Sequence, residues 1–374
     1  MMKNKIESIQ ILRGLAALSV VMFHYRFYLV PEDGDLTIPD QLFGWGAIGV
    51  DLFFVISGFI MIYVTRETQS GFSSSLKFLG SRLTRILPTY YIILLFAFLT
   101  GGAMSTFHYP EKVSNLISAL TFQPYQLDPA PLYTPGKGMY NVRWTLNYEI
   151  YFYIAFGMCL LFKNRVILLA TWFLLPIVIS YLLTSNVTFS TSGYKFNSVI
   201  ARFVTNPIIL EFGIGALAGY AYFILRNKFK FNSCYLSLAI FLVVVAGIFY
   251  NFFNGYNLTS AFVFFFLVLI FALQNKYILK FTPKPLITLG NISFSLYLIH
   301  NPLAIFISGK VENVYPNAMH TTAGFIILLA ASIPAAMLCH KYLEIMLTNK
   351  IRSLIKKIQE EVSSKNKAAI KRFR

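Results

Sequence analysis

Residues 9–30 read IQILRGLAALSVVMFHYRFYLV, and the rest of the chain is best understood outward from this run. At about 1.5 Å per residue it is long enough to cross a bilayer. Yet Arg13 and His24 sit inside it, eleven residues apart. That spacing is close to three whole turns, so one helix face carries both, roughly 16 Å apart along the axis. Ionisable groups inside a span are expensive and usually face a polar cavity. The competing reading is that each snorkels to its nearer interface. Two such groups on one face favour the cavity.

Composition extends this reading to the whole chain. Of 374 residues, 56% are hydrophobic and 13% charged. A water-soluble protein of this size could not hide so much apolar surface. The expected fold class is all-α, a polytopic integral membrane protein. Spanning-length runs recur at 9–30, 45–64, 86–106, 144–162, 165–184, 206–225, 234–252, 258–274, 289–308 and 321–343, which predicts ten transmembrane helices.

The formal charge of +17 does not point to nucleic acid, because of where the basic residues fall. With the N-terminus inside, fourteen Lys and Arg before the tail lie in inner connections, Lys3, Lys77, Lys163, Lys230 and Lys284 among them. Six lie in outer ones: Lys112, Lys137, Arg143, Lys195, Arg202 and Lys310. The first outer loop is acidic instead (Glu32, Asp33, Asp35, Asp40). This asymmetry predicts both termini in the cytoplasm. The first run lacks a small-residue cleavage site, so no cleavable signal is expected. Cys159, Cys234 and Cys339 lie in apolar runs without metal-type spacing, so neither a disulfide framework nor a metal site is expected.

Two regions are not simple spans. Residues 107–143 form a long outer connection containing QPYQLDPAPLYTPGKGMY at 123–140, either a functional lid or a spacer. The transmembrane domain is expected over 1–343, followed by a basic tail at 344–374. In the tail Lys350, Arg352, Lys356 and Lys357 accompany Ile351, Leu354, Ile355 and Ile358, as in a helix lying on an anionic inner leaflet.

Counted from the run ends, His24, Asp51, Glu149, Glu211 and His300 form one layer roughly 8–12 Å below the outer surface. Arg13 belongs to an inner cluster with Arg82 and Arg85, placed just ahead of the third span. Two arginines at i and i+3 project to one side, and their forks suit phosphate. Ordinary positive-inside anchoring is the alternative. Ser57 and Gly58 in FFVISGF lie between the layers, where small residues allow close packing or leave room for a ligand. A histidine beside carboxylates is the equipment of a general base, and no GxSxG marks a covalent nucleophile. The residues therefore predict a phosphate-bearing donor inside and an acceptor outside. His108, His320 and His340 are expected to be solvated or interfacial, and Glu344 to cap a helix or pair with the tail. A proton-coupled transporter or flippase for a glycan precursor is the rival from another class, and a non-enzymatic part of a glycan assembly complex a third. No repeated half supports transport.

The order of these motifs resembles the membrane-bound acyltransferase family 3, which contains bacterial O-antigen and exopolysaccharide O-acetyltransferases. The matching pieces are Arg13-x10-His24, GVDLFFVISGF at 49–59, SRLTRILPTYY at 81–91, WTLNYEIYFY at 144–153, EFGIGALAG at 211–219 and ISFSLYLIHNP at 292–302. The resemblance implies a multi-pass enzyme of the bacterial inner membrane with no bound cofactor. It would take an acyl group, most often acetyl, from acyl-CoA and pass it to a hydroxyl of a lipid-linked or surface glycan on the periplasmic side. By motif, His24 would be the catalytic histidine, Arg13 its partner, and Glu149 part of the outer catalytic layer. Arg82 and Arg85, with Ser57 nearby, would hold the CoA donor. Asp51, Glu211 and His300 would line the acceptor side. An acyl-His24 intermediate is the alternative to direct attack. Some members append a soluble esterase-like domain, and this sequence shows only the basic tail.

Overall fold

The computed structural model describes residues 5–136, 141–229, 233–253 and 255–372, with side chains up to residue 361. Lys3, Lys137 and Lys230 lie outside the described residues. Among those described, every regular element is helical. All ten apolar runs contain a helix: α1 Glu7–Tyr25, α2 Ile48–Thr65, α3 Phe72–Thr100, α4 Trp144–Cys159, α5 Arg165–Thr184, α6 Leu210–Leu225, α7 Tyr235–Phe249, α8 Leu258–Leu273, α9 Lys284–Glu312 and α10 Thr322–Cys339.

Not all ten are full spans by length. Seven of the described helices are long and apolar enough to cross a membrane. An eighth qualifies if α8 is joined to Asn275–Phe281, from which it is bent by 83°. Helices α4 and α7 have 16 and 15 residues, short of the roughly 20 that a bilayer core takes. The chain is a multi-pass, all-helical membrane protein, and α4 is an interior helix of it. Most of its side chains are buried, including Trp144, Tyr148 and Phe152.

Two helix pairs set the frame. Helices α2 and α6 run parallel, with Gly215 against Val55 and Gly219 against Phe59 and Ile62. A Cβ on Gly215 would collide with the Val55 carbonyl oxygen, and one on Gly58 with the Phe212 carbonyl oxygen. Only hydrogen fits where two backbones touch. Gly215→Leu should therefore wedge the pair apart. Overpacking a well-filled core costs about 1–3 kcal/mol and more against rigid backbone, so detergent-extracted protein should show a clearly lower melting temperature, and an unchanged one would refute the contact.

Helices α1 and α9 form the second pair, also parallel. A Cβ on Gly14 would stand 2.7 Å from the Gly290 nitrogen. Ten residues further along both helices, His24 meets His300. The glycine crossing thus fixes the register that brings the histidines together.

Two sequence expectations change. Helix α3 starts at Phe72 and not near 86, so Arg82 and Arg85 lie inside the helix. Its first turns, FSSSLKFLGSR, are polar on one side and escape a hydropathy reading. The tail is not a separate element either. Helix α10 runs through a π-helical stretch, His340–Leu347, into the helix Thr348–Arg372. The change from apolar to basic composition does not end the helix. The 107–143 connection is folded where described. Its helix Pro110–Thr121 is held to α3 by the hydroxyls of Tyr90 and Tyr91, which donate to the carbonyls of Ala119 and Leu120 at 2.7 and 2.8 Å.

Candidate active site

A cavity opens between α1, α2, α3, α4 and α9. Its walls carry Arg13, Arg82 and Arg85 of the expected inner cluster, Glu149 of the expected outer layer, and Ser57 from between them. The structure gathers them into one site. Inside the long α3, the i, i+3 spacing sends both Arg82 and Arg85 to the same wall.

The polar atoms of this site are only partly satisfied. Arg13 Nη1 donates to Gln10 Oε1 at 3.0 Å. The Tyr153 hydroxyl, one turn along α4, donates to Glu149 Oε1. Arg85 lies 3.7 Å from a Glu344 oxygen. The Nε of Arg82 and the hydroxyl of Ser57 are buried and make no hydrogen bond among the described residues. Buried polar atoms are nearly always paired, so orphans lining a cavity indicate a place for a polar ligand. Just outside the span, burial first, and then the Arg13 and Arg85 charges, hold the Lys5 ammonium below its ordinary range. This end of the cavity is electropositive and suited to an anion.

The two histidines form a second centre. His300 is fully buried, and its Nδ1 lies 3.2 and 2.8 Å from the carbonyl oxygens of Leu296 and Tyr297. Carbonyls only accept, so His300 carries its proton on Nδ1 and presents Nε2 as an acceptor. That Nε2 is 3.3 Å from His24 Nδ1, which is also 2.9 Å from the Val20 carbonyl oxygen. With acceptors on both sides, His24 Nδ1 must hold the proton. Its Nε2 is then the basic nitrogen, and no hydrogen bond occupies it among the described residues. The Tyr25 hydroxyl donates to the His300 carbonyl oxygen at 2.7 Å and lies 2.6 Å from Ser332 Oγ, tying the pair to α10.

The cavity stops short of His24. Tyr297 and Thr145 line its far end, with their hydroxyl oxygens 2.7 Å apart. The Tyr297 ring stands 6.0 Å from that of His300. Sequence reasoning missed Tyr297, Thr145 and Tyr153. The i, i+4 spacing of Glu149 and Tyr153 was the one available signal.

The supposed single outer layer separates into parts. Asp51 is fully buried and accepts from the backbone nitrogens of Tyr256 (2.9 Å) and Asn257 (3.3 Å) and from Ser260 Oγ (2.5 Å). It fastens the turn that starts α8 and does not line the cavity. Glu211 is also fully buried, one turn before Gly215, and among the described residues both carboxyl oxygens lack a partner. It too lies away from the cavity. Two further histidines have partners, and one expectation, the pairing of Glu344 with the tail, is corrected. His320 is held by the Val30 carbonyl (2.9 Å) and faces Glu312 (3.6 Å). His340 pairs with Glu344, which reaches Arg85 and not the basic tail.

Residues 6–341 match the family model described as an acyltransferase domain. The chain belongs to the membrane-bound acyltransferase family 3. This places it with acyltransferases and sets aside the transporter reading. The exopolysaccharide production protein ExoZ of Rhizobium meliloti (strain 1021) is 31% identical over 178 residues, 46% of this chain and 50% of that protein. The peptidoglycan O-acetyltransferase OatA of Listeria monocytogenes is 28% identical over 116 residues, 30% of this chain and 16% of the relative. The aligned part thus spans half the length of the first relative and much less of the second. No solved structure matches.

Proposed function

We propose that this acyltransferase moves an acetyl group from cytosolic acetyl-CoA to a hydroxyl of a lipid-linked or surface glycan, O-antigen or exopolysaccharide, at the outer face of the inner membrane. The observation that carries the proposal is the arginine cavity standing one aromatic residue away from the histidine pair. Arg82 and Arg85 suit the CoA phosphates as charge-assisted, forked donors. The unpaired Ser57 hydroxyl suits an amide or carbonyl of the pantetheine arm, which runs along the cavity past Arg13 toward Tyr297. The names of the two relatives, one an exopolysaccharide production protein and the other an O-acetyltransferase, support a glycan acceptor and an acetyl group.

For transfer, Tyr297 and Thr145 part and the thioester reaches His24. Nε2 of His24 takes the proton of a glycan hydroxyl as its oxygen attacks the thioester carbonyl carbon. Collapse of the tetrahedral adduct breaks the C–S bond, and the CoA thiolate recovers the proton from His24. His300, accepting from His24 Nδ1–H, keeps the imidazole in the tautomer this step uses. Glu149, with Tyr153, offers a negative counterpart to the guanidinium groups at the cavity wall.

The test is to incubate purified protein in detergent with radiolabelled acetyl-CoA and a host glycan fraction. Free CoA thiol should appear together with labelled glycan. An intact thioester with unlabelled glycan would overturn the proposal.

A further inference from the structure

Glu344 lies beyond α10 in a stretch where sequence gave no reason to look for a site residue. Its carboxylate is nearly buried, with the side chain 9% exposed. Oε2 is held twice, by His340 Nδ1 at 2.8 Å and by Ser295 Oγ at 3.1 Å. Oε1 is left for Arg85, whose Nη2 is 3.7 Å away. Ser295 stands on α9, His340 and Glu344 on the π-helical stretch His340–Leu347, and Arg85 on α3. Three segments therefore meet at one carboxylate. Arg85 is the member that also lines the cavity. The stretch is the one π-helical segment among the described residues, and such wide turns recur where a helix has to aim side chains at a site.

We infer that Glu344 is a positioning residue for the donor: anchored by His340 and Ser295, it holds the Arg85 guanidinium with its remaining donors turned into the cavity. The inference rests on the reading of that cavity as the acyl-CoA site. An arginine on a long flexible stem loses rotamer freedom when it binds. A carboxylate fixed at its back removes part of that loss before the ligand arrives. The pair at 3.7 Å is loose enough for a phosphate to share the guanidinium without displacing Glu344. The same contact ties the helix after α10 to donor binding, since Arg352 of that helix also reaches α3, within 3.5 Å of Thr84 Oγ1.

The experiment uses the full-length protein and compares Glu344→Gln, Ser295→Ala, Arg85→Ala and the Glu344→Gln/Arg85→Ala pair. The readouts are KM for acetyl-CoA, kcat and the melting temperature. Glu344→Gln keeps the shape and removes the charge, so KM should rise about fivefold, while kcat falls much less. Ser295→Ala, which loosens one anchor, should raise KM in the same direction. On the Arg85→Ala background, Glu344→Gln should add nothing, because the residue it positions is gone. An unchanged or lowered KM in Glu344→Gln, with Arg85→Ala raising it, overturns the inference and leaves the donor reading standing. If Arg85→Ala itself leaves KM unchanged, the donor reading falls and the inference with it. Should Glu344→Gln fail to fold, Ser295→Ala decides in its place.

Discussion

Replacing His24 by alanine is expected to lower kcat for glycan acylation by about a thousandfold or more, with expression and membrane insertion intact. A positioned general base contributes about 10²–10⁴-fold, and no other group in the site can take over. The neighbouring His300 cannot, because it is fully buried on the Nδ1 side of His24, so the Nε2 left free points at the vacated ring and not at a hydroxyl held beyond it. The structural loss is small by comparison. His24 is half-buried, and its removal strands one acceptor, His300 Nε2, at a cost of about 1–3 kcal/mol. The sharper variant is His24→Asn. Its amide nitrogen stands close to the position of Nδ1 and restores the bonds to Val20 and His300, but it offers no base. Both variants should be inactive at normal protein levels, measured by mass spectrometry of the host glycan and by CoA release in detergent. A fully active His24→Asn would remove His24 from the chemistry.

The second large effect falls on donor affinity. Arg82→Ala and Arg85→Ala should each raise KM for acetyl-CoA about tenfold, and the double variant about a hundredfold. Hydrogen bonds to charged groups contribute about 1.5–3 kcal/mol each, and 1.4 kcal/mol is a factor of about ten. Arg82 should be the more sensitive of the two. No carboxylate lies within ion-pair distance of it among the described residues, and its Nε is buried without a partner, so its full hydrogen-bonding capacity awaits a ligand. Arg85 already shares its charge with Glu344. Lysine at either position should recover charge but not the fork, and rescue only in part. Titration with CoA analogues lacking the 3′-phosphate would show which arginine meets which phosphate. Equal affinity in wild type and double variant would place the donor elsewhere.

Much of this protein is legible in its sequence. The apolar runs locate the ten helices because a backbone in lipid has to satisfy its own hydrogen bonds, which leaves helix as the form for each run. The eleven-residue spacing puts Arg13 and His24 on one face, and the unbroken helix α1 keeps it so. The i, i+3 spacing of Arg82 and Arg85 likewise survives the relocation of the start of α3, since side-chain direction depends on spacing and not on where the helix begins.

Which groups meet across helices was not legible in the same way. Depth along a span, counted from run ends, placed five ionisable residues in one layer. Depth says nothing of the direction in which a side chain leaves its helix. Asp51 and Glu149 were assigned one level, yet Asp51 turns to the start of α8 and Glu149 to the cavity. Helix rotation and register are set by where backbones touch, at Gly14 with Gly290 and at Gly58 and Gly215 between α2 and α6. These contacts are long-range and leave no periodic trace in either strand of sequence taken alone. They bring His300 to His24, Tyr297 to the end of the cavity, and Glu344 to Arg85. The sequence by itself determined that α1 carries a cation near one end and a base near the other. Only tertiary packing decided what each of them faces, because in a bundle of parallel and antiparallel helices the partner of a side chain is chosen by the crossing and not by the count of residues.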